Sequence, residues 1–171
     1  MSTVTEPVVV VGVNGSRASA AALRWAAEEA DRRHAWLRVV LSWSPRSDAP
    51  YALADGRPTP EQQRQAAAQT LTAMLHRVFG TGLPWRLTPE VARGTAERVL
   101  VEESKDADLL VLGSAAPPYS QARSVGPVVR VCLSRARCPV VVVSPATGTD
   151  PAEMTSGPAS ERAPLVAVPG A

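Results

Sequence analysis

The stretch that decides the fold is residues 109–143, LLVLGSAAPPYSQARSVGPVVRVCLSRARCPVVVV. It begins and ends in apolar runs that predict buried strands. Between them a loop opens at Gly113 and closes at Gly126, and Pro127 suits the first position of a helix. A strand followed by a glycine loop and a helix start is the arrangement with which α/β proteins hold phosphate groups. The segment therefore predicts an α/β fold and a candidate anion site.

The same alternation of strands and helices precedes this stretch. Continuous β-branched runs such as VVVVGV are typical of strands buried on both faces of a parallel sheet. Ser16 is suited to cap the first helix, and Thr59-Pro60 followed by Gln62 is the signature of a second helix start. Pro89 interrupts the third strand and places it at a sheet edge. The predicted strands are 8–13, Leu37 to Trp43, Trp85 to Ala92, Leu109 to Leu112 and Pro139 to Val143; the predicted helices are Arg17 to Arg33, Pro60 to Phe79, Thr95 to Lys105 and one that follows Gly126.

The order βαβαβαβαβ predicts a doubly wound, five-stranded parallel sheet with helices on both faces. We expect one domain, residues 1–145, preceded by no signal peptide and followed by a Pro-, Gly- and Ala-rich tail, residues 146–171, that is disordered. Ser44 to Pro58 is predicted to be a loop. The apolar fraction of 45% is enough for a core, and the 4% aromatic fraction indicates a core of Val, Leu and Ala.

Charge and hydropathy exclude several classes of protein. The 18 basic and 16 acidic residues are interspersed, with no basic stripe, so we expect no nucleic-acid partner. No apolar run approaches the ~20 residues of a membrane helix, so we expect no membrane association and a cytoplasmic protein. Cys132 and Cys138 do not have a metal or redox spacing, and both are expected to be buried thiols. His34 and His76 lack ligating partners, so no metal site is expected.

Two elements are candidates for ligand contact. If the first and fourth strands are central neighbours, Asn14 and Gly113 face each other across the crevice where such sheets bind ligands. Asn14 then accepts a hydrogen bond from an adenine amine or a ribose hydroxyl, or it is turn chemistry alone. The Gly113 loop offers backbone N–H groups, and Arg123 could pair with a phosphate. Prolines 117, 118 and 127 each remove a donor, so a structural role for the loop stays open.

Three segments in order resemble the universal stress protein family, over roughly Val8 to Ser144. They are VVVVGVNGSRASAAALRWAAEEA, RGTAERVLVEESKDADLLVLGS and GPVVRVCLSRARCPVVVV. The resemblance implies a flavodoxin-like, adenine-nucleotide α-hydrolase-like fold. It also implies a homodimer formed through the last strand, Pro139 to Val143, and an unidentified regulatory protein partner.

ATP-binding members of this family carry GxxG, nine residues, and then Gly followed by Ser or Thr. Here Gly113 and Gly126 match, while Ala116 and Pro127 replace the second glycine and the hydroxyl residue. Asn14 stands where the family usually has Asp, and Trp43 lies where the family contacts adenine. The nucleotide-binding positions implied by the resemblance are Val13, Asn14, Trp43, Gly113, Ala115, Ala116, Gly126, Pro127 and Val128, with Arg123 as a phosphate contact.

Because two motif positions have changed, the expected function is that of a non-enzymatic, cytoplasmic stress-response regulator whose adenine nucleotide binding is weakened or lost. The alternative is a competent ATP-binding member of the family. The third class, a nucleotide hydrolase, lacks a visible base or metal-ligand set. ATP is thus a possible cofactor, and we expect no catalytic residues.

Overall fold

The computed structural model describes residues 6–45, 58–115 and 125–145. Along the described chain the elements are β1 (Val8–Gly12), α1 (Arg17–Arg33), β2 (Trp36–Trp43), α2 (Pro60–Phe79), β3 (Leu87–Arg93), α3 (Ala96–Glu103), β4 (Leu109–Gly113), α4 (Pro127–Arg135) and β5 (Val140–Val143). The strands pair in parallel in the order β3-β2-β1-β4-β5. This is the order of the first five Rossmann strands, and the doubly wound α/β class is confirmed. Most of the predicted loop Ser44 to Pro58, and the tail 146–171, lie outside the described residues.

The predicted helix starts at Ser16 and Thr59 are confirmed. The Ser16 hydroxyl accepts a hydrogen bond from the Ser19 amide at 3.1 Å. At Thr59 both bonds of a capping box form, because the Gln62 amide donates to the Thr59 hydroxyl and the Gln62 side chain accepts from the Thr59 amide. Each cap satisfies backbone donors that the first helical turn leaves without partners. Local sequence therefore determines where α1 and α2 begin.

Most predicted boundaries lie within one residue of the structure, and the differences at β3 and α3 have a physical reason. β3 starts at Leu87, not Trp85, because a turn in which the Leu87 amide donates to the Pro84 carbonyl keeps Trp85 out of the ladder. Thr95, predicted to begin the third helix, is the N-cap residue, and α3 starts at Ala96; the Thr95 side chain makes no capping hydrogen bond. α3 also ends before Ser104, whose buried hydroxyl bonds the Val101 carbonyl and competes with further helix.

The sheet separates two apolar cores. Val9 and Val11 face the core beneath α1 and α2, whereas Val10 faces the core beneath α3 and α4. All three valines are fully buried, as the continuous β-branched run predicts for a strand in the middle of a parallel sheet. Pro89 lies on β3, which among the described strands pairs only with β2, so its predicted edge position is confirmed.

Gly113 lets α1 pack directly on β4. A Cβ atom built at Gly113 would lie 2.4 Å from the carbonyl carbon and oxygen of Ala18, and 2.7 Å from the Ser19 nitrogen. These are backbone atoms of a helix, so they cannot move aside as a flexible side chain would. The glycine is therefore required by helix–strand packing, independently of any ligand.

We expect Gly113→Ala to lower the free energy of unfolding by about 2–3 kcal/mol, because overpacking forces backbone shifts. Gly126→Ala is the matched control, since nothing lies within 4 Å of a Cβ built there. It should cost less than about 1 kcal/mol, from exchanging glycine for alanine at an N-cap. Urea unfolding followed by circular dichroism measures both, and equal losses would contradict the packing role of Gly113.

Candidate functional site

The candidate site lies at the carboxyl ends of β1 and β4. These strands are neighbours, with Gly12 opposite Leu112, and the chain continues outward from them in opposite directions. Strand order therefore reverses between β1 and β4, which opens a crevice at their carboxyl ends. The structure places Asn14 and Gly113 at this crevice, on adjacent strand ends, as the sequence predicts.

The Asn14 side chain is already engaged in the turn after β1. Its Oδ1 accepts a hydrogen bond from the Ser16 amide at 3.1 Å, and the Asn14 amide donates to the Ser19 hydroxyl at 3.3 Å. The Ser16 N–H needs an acceptor, so this bond assigns which end of the side chain is oxygen. Within the described residues the Nδ2 group makes no hydrogen bond. The Asn14 side chain thus has a confirmed role in the turn, and its Nδ2 group keeps its donor capacity within the described residues.

An arginine from α2 supports the same turn. The Arg77 guanidinium donates to the Gly15 carbonyl at 3.2 Å, which ties the last turn of α2 to the β1–α1 loop. Gly15 has φ 85°, a left-handed conformation that favours glycine. Arg77 could not be predicted from the sequence, because it lies 62 residues from Gly15 and belongs to no local motif. Val13 completes the turn, buried, with its amide donating to the Val40 carbonyl at 2.9 Å.

The residues after β4 begin the loop that the family motif assigns to phosphate. Ser114 is buried and its amide donates to the Val143 carbonyl at 2.9 Å, so it extends the β4–β5 ladder. Ala115 is exposed at the crevice. Ala116 and Arg123 lie outside the described residues.

The helix that closes this loop starts with an open N-terminus. Gly126 is the N-cap of α4 and supplies no side-chain capping bond, and Pro127 at the first position has no N–H. The amides of Val128 and Val129 belong to the first turn and have no intrahelical partner. Two backbone donors and the positive end of the helix dipole therefore remain there for an anion.

Trp43 ends β2 and is half-buried. Its side chain packs against the core beneath α1 and α2, and its carbonyl accepts a hydrogen bond from the Gly94 amide at 2.8 Å. Part of the indole remains accessible at the carboxyl end of the sheet. Its contact with adenine stays a prediction.

Within the described residues, the two cysteines and the His, Asp and Glu side chains provide neither a reactive thiol nor a metal site. Cys132 is fully buried, as predicted, but Cys138 is half-buried, because it precedes the edge strand β5. Burial raises the pKa of the Cys132 thiol to about 11 and also raises that of Cys138. Among the residues described, no three His, Cys, Asp or Glu side chains group as a metal site. Nor is any helix of the described chain long and apolar enough to cross a membrane.

The fold and crevice define a Rossmann-like α/β domain, and the crevice lies at its topological switch point. The family model described as the universal stress protein family matches residues 7–144, and the chain belongs to that family.

Among its relatives are two proteins of Mycobacterium tuberculosis H37Rv. Universal stress protein Rv3134c is 33% identical over 137 residues, covering 80% of this chain and 48% of the relative. Universal stress protein Rv2623 is 32% identical over 134 residues, covering 78% of this chain and 44% of the relative. The chain thus spans about half the length of the curated relatives it matches.

Solved structures share the fold at lower identity. A universal stress protein in complex with cAMP superposes with a TM-score of 0.60 at 22% identity, covering 81% of this chain and 97% of that one. UspA of Lactobacillus plantarum superposes with a TM-score of 0.58 at 23% identity, covering 80% of this chain and 97% of that one. The universal stress protein from Archaeoglobus fulgidus in complex with dAMP superposes with a TM-score of 0.55 at 23% identity, covering 82% of this chain and 99% of that one.

We expect Cys132 to resist iodoacetamide at pH 7.5 in the native protein, since its raised pKa leaves almost no thiolate. The unfolded thiol, with its lower pKa, loses its proton first as pH rises. Stability should therefore fall as pH increases from about 9 toward 11. Urea unfolding at several pH values measures the slope, and Cys132→Val should reduce it. An unchanged slope in that variant would contradict the assignment.

Proposed function

We propose that this protein is a non-enzymatic, cytoplasmic regulator of the stress response whose adenine nucleotide binding is weakened or lost. The observation that carries the proposal is Pro127 at the first position of α4. The family motif has a hydroxyl residue there, so this chain lacks both the hydroxyl and the backbone N–H at the start of the phosphate loop's helix. Regulation then works through protein contacts rather than through chemistry at the crevice.

Losing the hydroxyl and the backbone N–H at position 127 is expected to weaken the affinity for ATP strongly. A hydrogen bond to a charged phosphate contributes about 1.5–3 kcal/mol. Two such bonds amount to roughly 10²–10⁴ in the dissociation constant. Asn14 adds to this, because its oxygen is used by Ser16 and is therefore less available to an adenine amine. The packing role of Gly113 also means that its presence alone does not support nucleotide binding.

Competent ATP binding is the second candidate, and the start of α4 favours it. The space beside Gly126 is open, and the Val128 and Val129 amides are left without helical partners. Relatives of the same fold were solved with cAMP and with dAMP. Arg123 would supply a compensating charge. A nucleotide hydrolase is the third class, and the described residues offer no base or metal-ligand group that favours it.

Titration with ATP and Mg²⁺ by calorimetry tests the proposal. We expect a dissociation constant weaker than about 100 μM, and a gain of about tenfold or more in the double variant Ala116→Gly/Pro127→Ser, since the variant restores donors and room. Adding Gly126→Ala to this variant is the matched control. It should remove the gain, because the new methyl group would occupy the open space where the phosphates approach.

Micromolar binding of ATP by the unaltered chain would contradict the proposal of weakened binding and support competent ATP binding. No gain in ATP affinity in the double variant would contradict the hypothesis that Ala116 and Pro127 weaken the phosphate-binding loop. Sustained ATP turnover that Gly126→Ala abolishes would support the hydrolase class instead.

We also propose a homodimer that forms through β5. The Pro139 and Val143 carbonyls accept from Leu110 and Ser114 on β4. Because a parallel strand alternates its hydrogen-bonding direction, Val140 and Val142 turn their N–H and C=O groups to the free edge. All four valines of β5 are only half-buried, and α4, which packs on β5, exposes Leu133 at 54%. Among the described residues no strand pairs with the outer edge of β5, and an apolar edge strand favours pairing with a second copy.

Val142→Pro should convert the dimer to a monomer, because it removes an outward N–H without touching the β4–β5 bonds. Sedimentation velocity at 5–100 μM measures the assembly, over a range that spans weak dimers at roughly micromolar affinity. Leu133→Glu is a second variant at an exposed site and should weaken association without altering the unfolding curve. A monomeric unaltered chain at all concentrations, or a Val142→Pro dimer, would contradict this interface.

A further inference from the structure

The opposite end of the sheet exposes large apolar side chains. At the amino ends of β2 and β3, Trp85 is 78% exposed, Leu83 49% and Trp36 36%. This chain has four tryptophans, and two of them lie together here, with ring centroids 6.2 Å apart. Grouped exposed tryptophans mark interaction surfaces in soluble proteins.

Arg86 holds these rings in place. Its guanidinium lies 4.4 Å from the Trp85 ring centroid and 5.9 Å from that of Trp36. The same guanidinium pairs with Glu6 at 3.2 Å and donates to the His34 carbonyl, while Glu6 also accepts from the Trp36 indole N–H. The surface is therefore ordered before any partner arrives, which lowers the entropic cost of binding.

A cleft of about 150 Å³ opens beside Trp85, between the last turns of α1 and the residues that precede β3. Ala27, Ala30 and Leu37 contribute apolar lining, and Asp31 and His34 contribute polar lining. The Asp31 carboxylate makes no ion pair with any described residue. It lies at the carboxyl end of α1, where the helix dipole also favours a cation.

The charge and size of the cleft select its occupant. Glu6 neutralises Arg86, so Asp31 is the uncompensated charge of the lining. An acidic group would be repelled, and an aliphatic group would desolvate Asp31 without pairing it. A ligand pocket for a metabolite usually measures 300–1,000 Å³, so a cleft of half that size or less suits a single side chain.

We propose that this cleft docks an arginine or lysine side chain of a protein partner. The cation pairs with Asp31 and lies against the exposed face of Trp85, as the guanidinium of Arg86 already does within the chain. Leu83 and Trp36 provide apolar contact for the residues on either side of the anchor. The surface lies at the far end of the sheet from the nucleotide crevice, so both can be occupied at once.

The test uses the full chain and two blocked peptides, acetyl-Gly-Leu-Arg-Leu-Gly-amide and the same peptide with Glu in place of Arg. The readout is the indole N–H signal of Trp85 in ¹H–¹⁵N NMR spectra, assigned by its loss in Trp85→Leu. We expect saturable shifts with the Arg peptide, at a dissociation constant of about 1 mM or below, and at least tenfold weaker binding of the Glu peptide. Asp31→Asn should weaken the Arg peptide about fivefold.

Asp106→Asn, at an exposed carboxylate outside the cleft, is the matched control and should leave binding unchanged. Equal binding of the two peptides, no loss in Asp31→Asn, or no shift of Trp85 up to about 5 mM Arg peptide would overturn the proposal. The variant Arg162→Ala distinguishes an occupant within the chain. A shift of the Trp85 signal in that variant without peptide would mean that residues 146–171 fill the cleft, and would overturn an external partner.

Discussion

The contact between the α1 backbone and Gly113 is the constraint on which the rest of this structure depends. It allows the first helix to lie directly over β4, so that β1 and β4 stay neighbours and the sheet order reverses between them. The crevice, the turn at Asn14 and the start of the loop after β4 all follow from that placement. A motif glycine can thus be required by packing alone, whatever its role toward a ligand.

The two ends of the sheet differ in the chemistry they offer. At the carboxyl end, small residues and backbone amides line the crevice, and the polar groups of Asn14, Ser16 and Ser19 largely satisfy one another. At the amino end, Trp85, Arg86 and a carboxylate without an ion pair among the described residues line a narrow cleft. The first end therefore offers backbone donors of the kind that hold anions, and the second offers the aromatic rings and the carboxylate on which the proposed side-chain docking rests.

Much of the fold was predictable because it rests on local rules. The valine run of β1 predicted a buried strand, and the caps at Ser16 and Thr59 predicted helix starts, since each depends on residues within three positions. The valine run of β5 was also predicted to be buried and this was wrong, because β5 lies at the end of the described sheet and is only half-buried. The site was predictable only in part. That Asn14 and Gly113 meet followed from topology, but the bond that occupies the Asn14 oxygen, and the support of its turn by Arg77, depend on distances that no spacing in the sequence encodes.

The sequence by itself determined the alternation of strands and helices, the edge position of β3, the family and the two altered motif positions. Each of these depends on periodicity, backbone restrictions or residue identity, which are properties of short segments. Only the tertiary structure decided why Gly113 must be glycine and which tryptophans share a surface. Residues 36 and 85 are far apart along the chain, and the pairing of β2 with β3 brings them together beside the Asp31 carboxylate.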